Sequence, residues 1–198
     1  MKKIIAVCMA ILLITGCSSS MQTGAKEQKN ASVTVATILD VIRVTAPDKL
    51  AGDLLQTSNK ISLFLWLRDV ENWTNQLLRY SQRLTLTETD KQILTESLQD
   101  YYSAEQALRI FDSYFQKGSD GTYTFKEQES FGVLASVQFA LQVNLKEADG
   151  RYHIGITGKY SDSLEELMES EIEERVTVLQ DKKLLIDSVE PVTGTLAK

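Results

Sequence analysis

Cysteine, histidine and proline are scarce in this chain of 198 residues, which contains two cysteines, one histidine and two prolines. Both cysteines, Cys8 and Cys17, lie near the N-terminus, so disulfides and thiolate chemistry are excluded from the rest of the chain. The sequence has no phosphate-binding loop, no Gly-x-Ser-x-Gly nucleophile motif and no metal-ligand spacing. We therefore predict no enzyme, no catalytic residue, no cofactor and no metal, and a domain held together by its hydrophobic core.

The N-terminus has the three-part layout of a secretory signal, with Lys2 and Lys3 before an apolar run from Ile4 to Ile14 and small residues after it. A transmembrane helix needs about 20 apolar residues, and neither this run nor any later one reaches that length. We predict that residues 1–16 are a signal peptide that is removed.

The run ends in Ile14-Thr15-Gly16-Cys17, which resembles the lipobox of bacterial lipoproteins. The resemblance implies that Cys17 is lipidated, becomes the first residue of the mature chain and binds the membrane through its lipid. In enteric bacteria a serine such as Ser18 after the cysteine is associated with the outer membrane, which implies a chain anchored there and facing the periplasm. Two alternatives stay open, a Gram-positive cell-surface lipoprotein and an ordinary signal peptide or buried anchor with an incidental cysteine.

The mature chain is acidic, because removal of Lys2 and Lys3 from 21 basic residues leaves 19 against 27 acidic ones, a net charge of −8. We predict no nucleic-acid partner, and we expect the acyl chains to provide the membrane anchor because anionic headgroups repel such a surface. Residues 17–31 are predicted to be the lipidated cysteine and a flexible tether, and residues 32–198 a single globular domain.

Two amphipathic helices are predicted in the first half of that domain. Apolar residues recur every three or four positions from Asn59 to Leu84, which is typical of a helix with one buried face. A second helix is expected to begin at the N-cap Thr87 and to end at Lys117-Gly118, and the short connection predicts an antiparallel helical hairpin. The predicted core stripes are Leu63, Trp66, Leu67, Val70, Trp73, Leu77, Tyr80 and Leu84 in the first helix, and Leu94, Leu98, Tyr101, Leu108, Phe111 and Phe115 in the second.

The segment before these helices is ambiguous. Ser32 to Thr45 is rich in β-branched residues, which favours a strand, yet its apolar residues also share one helical face. Pro47 is expected to open a short helix, so that the helices cover about residues 47–117.

The second half of the domain predicts an antiparallel sheet over about residues 122–190. Apolar residues alternate from Val137 to Leu145, and Asp149-Gly150 is the dipeptide that a type I′ hairpin turn prefers. Pairing Ala148 with Arg151 across that turn sets Leu145 opposite Ile154 and Val143 opposite Ile156, which puts the apolar residues on one face. The predicted fold class is therefore α+β, with the N-terminal helical hairpin packed on the C-terminal antiparallel sheet.

Three further elements follow the hairpin. Ser163 begins a capping box with Glu166, which predicts a short helix as far as Ile172. Glu174 to Gln180 and Leu184 to Val189 are predicted strands, and the sequence leaves their mutual register open.

Three sets of residues could take part in catalysis or binding, but for each a purely structural role is favoured. His153, the sole histidine, is predicted on the exposed face of its strand without a partner. Gln116 to Glu127 resembles a calcium-binding loop, but Gln116 and Gly118 replace oxygen ligands, so a helix end and a turn into a strand explain it better. The third set is an acidic run, favoured as a solvated surface, although a basic partner or a cation is the alternative; its members are Asp162, Glu165, Glu166, Glu169, Glu171, Glu173 and Glu174.

Phe64 and Leu65 lie off the main stripe of the first long helix, whereas Trp66 and Trp73 are favoured as core residues. If both off-stripe residues are exposed, they form an apolar patch suited to a protein partner or a lipid chain. The first functional hypothesis is therefore a non-enzymatic envelope lipoprotein that binds a protein partner as an accessory or assembly factor. The alternative is a small-ligand or lipid carrier with an apolar cavity between helices and sheet, and a hydrolase that uses carboxylates is a third hypothesis.

The lipobox yields a direct prediction: Cys17→Ser should abolish membrane association, because it removes the acceptor of the lipid anchor. The measurement is the distribution of the full chain between membrane and soluble fractions after mild washing. A mutant that stays in the membrane fraction would show that another anchor exists.

Overall fold

The computed structural model describes residues 33–51, 55, 59–160, 170–180 and 183–192. Cys17, the tether and most of the helix predicted at Ser163 lie outside these residues. Helices precede antiparallel strands, which confirms the α+β class. The elements are α1 (Val35–Ile42), α2 (Lys60–Ser81), α3 (Glu88–Leu98), α4 (Ala104–Tyr114), β1 (Phe115–Lys117), β2 (Tyr123–Phe125), β3 (Phe139–Ala148), β4 (Arg151–Tyr160), β5 (Ser170–Gln180) and β6 (Leu184–Val192), with 3-10 helices at Arg43–Thr45 and Leu134–Ser136.

The ambiguous first segment is helical. The side chain of Thr34 caps α1 by accepting the Thr37 N–H at 3.3 Å, and α1 buries Val35, Ile38 and Ile42 on one face. Burial of that face outweighs the strand preference of its β-branched residues, because isolated propensities are small compared with the burial of three large side chains.

The helix predicted at Pro47 is not formed, since residues 46–50 are neither helix nor strand. Their backbone carbonyls instead accept hydrogen bonds from distant side chains. The Tyr101 hydroxyl donates to the Pro47 carbonyl at 2.5 Å, and Trp66 Nε1 donates to the Asp48 carbonyl at 2.9 Å.

The long helix α2 confirms the first amphipathic prediction. Asn59 caps it by accepting the Ile61 N–H at 3.0 Å. The predicted stripe is buried as far as Leu77, whereas Tyr80 is 51% exposed and the helix ends at Ser81 rather than near Leu84. Among the described helices, none combines the length and apolar character that crossing a bilayer requires.

The second predicted helix is in fact two helices. Thr87 caps α3 in a capping box with Asp90, which confirms the predicted start. The helix then breaks after Leu98, and α4 begins at the new N-cap Ser103. The break shifts the buried face, so Leu108 is 43% exposed although its position on a continuous stripe predicts burial.

The break has a tertiary cause. The chain at residues 101–103 pairs with β6, where the Ser103 N–H donates to the Ile186 carbonyl at 2.9 Å and the Ile186 N–H donates to the Tyr101 carbonyl at 2.8 Å. The predicted two-helix hairpin is accordingly replaced by a layer in which α1 contacts α2 and α3, and α3 contacts α4. The layer meets the sheet where α2 contacts β3 and α4 contacts β6.

The larger sheet has the antiparallel order β3-β4-β5-β6. Its first hairpin has the predicted register, with Ala148 opposite Arg151 and Leu145 opposite Ile154. Asp149 and Gly150 have φ values of 55° and 71°, the positive values that a type I′ turn requires at both central residues.

The start of β3 differs from the prediction. A register shift lies between Ala140 and Gln142, and it interrupts the apolar alternation. As a result Phe139 is 64% exposed and Leu141 is 49% exposed, although both were expected on the buried face. A bulge adds one residue to a strand and so reverses the direction of the side chains beyond it.

The last two predicted strands are confirmed as β5 and β6, with Val176 opposite Val189. The helix predicted from Ser163 cannot extend to Ile172, because Ile172 pairs with Gly158 in the sheet. Strand β5 therefore begins to pair with β4 before Glu174, the residue at which the sequence pattern predicts the strand to begin.

The turn predicts that Gly150→Val lowers the free energy of unfolding by about 1 to 3 kcal/mol, because a β-branched residue resists positive φ. Gly155→Val is the matched control, since Gly155 lies in β4 without positive φ and a Cβ there would meet only the Asn144 Cβ, at 4.0 Å. Urea unfolding of both variants measures the difference. Equal stability of the two would contradict the turn assignment.

Candidate partner-binding groove and a buried carboxyl pair

The two residues proposed for partner contact have different environments. Phe64 is 3% exposed and belongs to the core, so its predicted exposure is wrong, whereas Leu65 is 38% exposed. The error has a simple geometric origin, because α2 buries a second stripe at heptad spacing, formed by Phe64, Glu71 and Leu78. A helix covered from two sides buries a wider arc than one amphipathic stripe predicts.

The exposed face of α2 lines an open groove of about 720 Å³. Its other wall is the irregular segment 44–50, in which Val44 is 89% exposed. Leu65 contributes apolar surface from the helix, and the charged lining residues are Asp48 and Asp69, both acidic. The groove therefore combines accessible apolar side chains with negative charge.

Hydrogen bonds hold the irregular wall in place. In addition to the bonds to the Pro47 and Asp48 carbonyls, Thr45 Oγ1 donates to Gln76 Oε1 of α2 at 3.1 Å. Burial and the nearby Asp100 and Asp48 charges raise the pKa of Tyr101 to about 12, so its hydroxyl stays a donor at neutral pH. The groove is thus formed before any partner binds.

The tryptophans on α2 are core residues, as predicted, with Trp66 6% and Trp73 5% exposed. Both contribute to the lining of the groove. Trp73 packs edge-on against Tyr101 with ring centroids 5.1 Å apart, so the wall next to the groove is rigid aromatic surface.

A pair of carboxyl groups is buried where α2 meets β5. Glu71 is 1% exposed and Glu174 is 0% exposed. The Ala135 N–H donates to Glu71 Oε2 at 3.3 Å, and the Val133 N–H donates to Glu174 Oε2 at 2.7 Å. Glu174 Oε1 has no hydrogen-bond donor among the other described groups. The hydrogen bond between the Glu71 and Glu174 side chains requires a proton on one of the two carboxyl groups.

The environment raises the pKa of both carboxyl groups. Burial is the largest cause for Glu71, and the hydrogen bond to Glu174 and its negative charge raise that pKa further. Burial also raises the pKa of Glu174. The two groups titrate together, so the property belongs to the pair, which retains one proton well above the usual range of a glutamate.

The described surroundings of the pair do not fit a metal site. Both carboxyl groups are closed to solvent, and the backbone groups that point at them are N–H donors, which bind anions and not cations. The prediction that Glu174 belongs to a solvated acidic surface is wrong. Glu173 beside it is partly exposed and forms an ion pair with Arg175 at 3.3 Å, and the side chains from Asp162 to Glu171 lie outside the described residues.

The sequence contains a signal for the burial of each of these two carboxyl groups. Glu174 precedes Val176 and Val178 at period two on the buried face of β5, and Glu71 lies one heptad from both Phe64 and Leu78. Neither signal identifies the other carboxyl group as the partner, because α2 and β5 are distant in the chain.

The other candidate residues have structural roles. His153 is exposed, as predicted, and its Nδ1 lies 3.4 Å from Thr177 Oγ1. The calcium-like loop forms the β1–β2 hairpin, in which Asp120 Oδ1 accepts the Thr122 N–H at 3.0 Å, which agrees with the turn interpretation. Across the described part of the chain, no three acidic, histidine or cysteine side chains cluster as a metal site.

Comparison with known proteins adds no relative: no family model matches the chain, and neither the curated proteins nor the solved structures contain a similar one.

The unequal burial of Phe64 and Leu65 predicts unequal effects of substitution. Phe64→Ser should lower the free energy of unfolding by about 3 to 5 kcal/mol, because it removes a buried aromatic ring. Leu65→Ser should cost about 1 kcal/mol or less, as expected near the surface. Urea unfolding of the two single variants measures both values, and equal losses would contradict the assigned orientation of α2.

Proposed function

We propose that the chain is a non-enzymatic lipoprotein of the cell envelope that binds a protein partner through the groove between segment 44–50 and α2. The lipobox supports anchoring through lipid on Cys17, and Ser18 after it supports a place at the outer membrane, facing the periplasm. The observation that carries the binding proposal is the groove itself, with its exposed apolar residues and acidic lining.

The apolar surface extends beyond a single residue. Ile61 is 60% exposed and lies one helical turn before Leu65, on the same face of α2, while Val44 is exposed on the opposite wall. Isolated exposed leucines are ordinary in soluble proteins, whereas apolar side chains on both walls of a groove allow a partner segment to bury several of them together.

The charges define the kind of partner. Asp48 and Asp69 line the groove, and no lysine or arginine is among its described lining residues, although Arg68 forms an ion pair with Asp69 at 3.5 Å. A segment that presents apolar side chains next to a lysine or arginine complements this surface, and opposite charges at a rim mainly accelerate association and select among partners. The proposed partner is therefore a protein with a basic and apolar segment.

The carrier alternative receives no support from a specific observation. It requires an apolar cavity between the helices and the sheet, but large buried side chains fill that region, including Tyr102, Ile154 and Ile186. The proposal accordingly concerns a protein partner and the outer groove.

The experiment compares Leu65 with Leu108, which is similarly exposed at 43% but lies on α4, away from the groove. A photo-crosslinking amino acid is placed at either position of the lipidated full chain in intact cells. We expect position 65, and not position 108, to capture a defined envelope protein, which is then purified for binding measurements.

With the purified partner, Leu65→Ser should weaken binding by about tenfold, or 1.4 kcal/mol. Leu108→Ser should leave binding unchanged, and Asp48→Lys should slow association. Equal crosslinking at both positions, or unchanged binding by Leu65→Ser, would contradict the proposal.

A further inference from the structure

Residues 131–136 form a strap that crosses α2 between the small hairpin and β3. Asn75 of α2 binds one end in two ways, since its Nδ2 donates to the Phe131 carbonyl at 2.9 Å and its Oδ1 accepts the Phe131 N–H at 2.8 Å. Glu71 lies one turn earlier on α2 and, with Glu174, accepts N–H groups farther along the strap. The strap is therefore held to the helix and the sheet by side chains that bind its backbone and by burial of its own Leu134, which is 1% exposed.

The strap approaches the carboxyl pair too closely for a side chain. Gly132 has a φ of 64°, and a Cβ at this position would overlap the Glu71 carboxyl group. A glycine is required both by the positive φ and by the contact, so the strap backbone is shaped around the pair.

We propose that Glu71 and Glu174 form a proton-dependent clasp, which holds the strap while the two carboxyl groups share one proton and releases it when both ionise at higher pH. The buried geometry supports this inference, because Glu174 Oε1 has no other donor and two adjacent buried carboxylates repel each other. Opening the strap admits water, which relieves that repulsion.

The groups around the pair do not compensate a second negative charge. Tyr102, which faces the pair from the segment between α3 and α4, is neutral because burial raises its pKa well above the usual value, and its hydroxyl lies 2.9 Å from Thr74 Oγ1. Within the described residues, no lysine, arginine or histidine forms an ion pair with either carboxyl group. The N–H groups of the strap favour the charged form, but burial and the neighbouring carboxyl outweigh them.

The sign of the pH dependence follows from the raised pKa of the pair. A glutamate in water has a pKa near 4.5. The clasp therefore stabilises the closed strap fully below that pH, and this stabilisation is lost as the pH rises through the higher pKa that the pair has in the closed state. Opening of the strap then releases one proton from the carboxyl pair. The protection of the strap amides against hydrogen exchange should fall by up to about tenfold per pH unit in that window.

The test measures amide hydrogen exchange of the strap from about pH 5 to about pH 9, the range in which buried glutamates are known to titrate. Protection factors are compared, because chemical exchange itself accelerates with pH. In the wild-type chain, we expect protection at Val133 and Ala135 to fall with pH while that of Ile154 and Ile156 in β4 stays constant. A simultaneous loss in β4, or constant strap protection, would overturn the clasp.

Glu71→Gln separates the clasp from ordinary packing. A glutamine reproduces the protonated form, since its amide can donate to Glu174 Oε1 and its oxygen can accept the Ala135 N–H, so strap protection should become independent of pH. Glu96→Gln is the matched control, because Glu96 is an exposed glutamate on α3, and it should retain the wild-type pH dependence.

A strap that keeps its pH dependence in Glu71→Gln would overturn the proposal. If Glu71→Gln does not fold, the wild-type comparison of strap with β4 decides.

Discussion

Helix α2 is buried along two adjacent stripes, and the rest of the structure depends on this double burial. Leu63, Val70 and Leu77 are at most 3% exposed along one stripe, while Phe64, Glu71 and Leu78 are buried along the next. Full burial of each large apolar side chain contributes about 1.5 to 3 kcal/mol, so the helix needs covering elements along both stripes. Among the described elements, those with the most extensive contacts to it are α1, the 3-10 helix Leu134–Ser136 and β3.

The same burial explains the position of the carboxyl pair. Glu71 belongs to the second stripe, so covering Phe64 and Leu78 also removes Glu71 from water. An isolated buried carboxylate is very unfavourable, and here the cost is reduced by a proton, by strap N–H groups and by Glu174. The fold therefore has a polar element at its centre whose charge depends on pH, in contact with a strap that strand pairing does not secure.

The face of α2 that stays exposed is the one that lines the groove. Leu65 and Asp69 lie on that face, away from Glu71, so the proposed partner surface and the proposed clasp use different sides of one helix. Failure of one proposal is distinguishable from failure of the other, because a Leu65 variant leaves the pH dependence of the strap intact and a Glu71 variant leaves the groove residues in place. The acidic groove and the net negative charge of the chain both favour a basic partner.

Local chemistry by itself determined α2, the N-cap at Thr87 and the hairpin at Asp149-Gly150, because apolar spacing, caps and turn dipeptides act within a few residues. It also identified Leu65, but it could not separate Leu65 from Phe64. Only the tertiary structure decided that Phe64 is buried, that α3 and α4 are separate and that Glu71 meets Glu174. Each of these outcomes depends on a segment far along the chain: a second covering layer for Phe64, the backbone of Ile186 for the helix break, and strand β5 for Glu71. Local propensity contains no information about which distant segment packs against a residue.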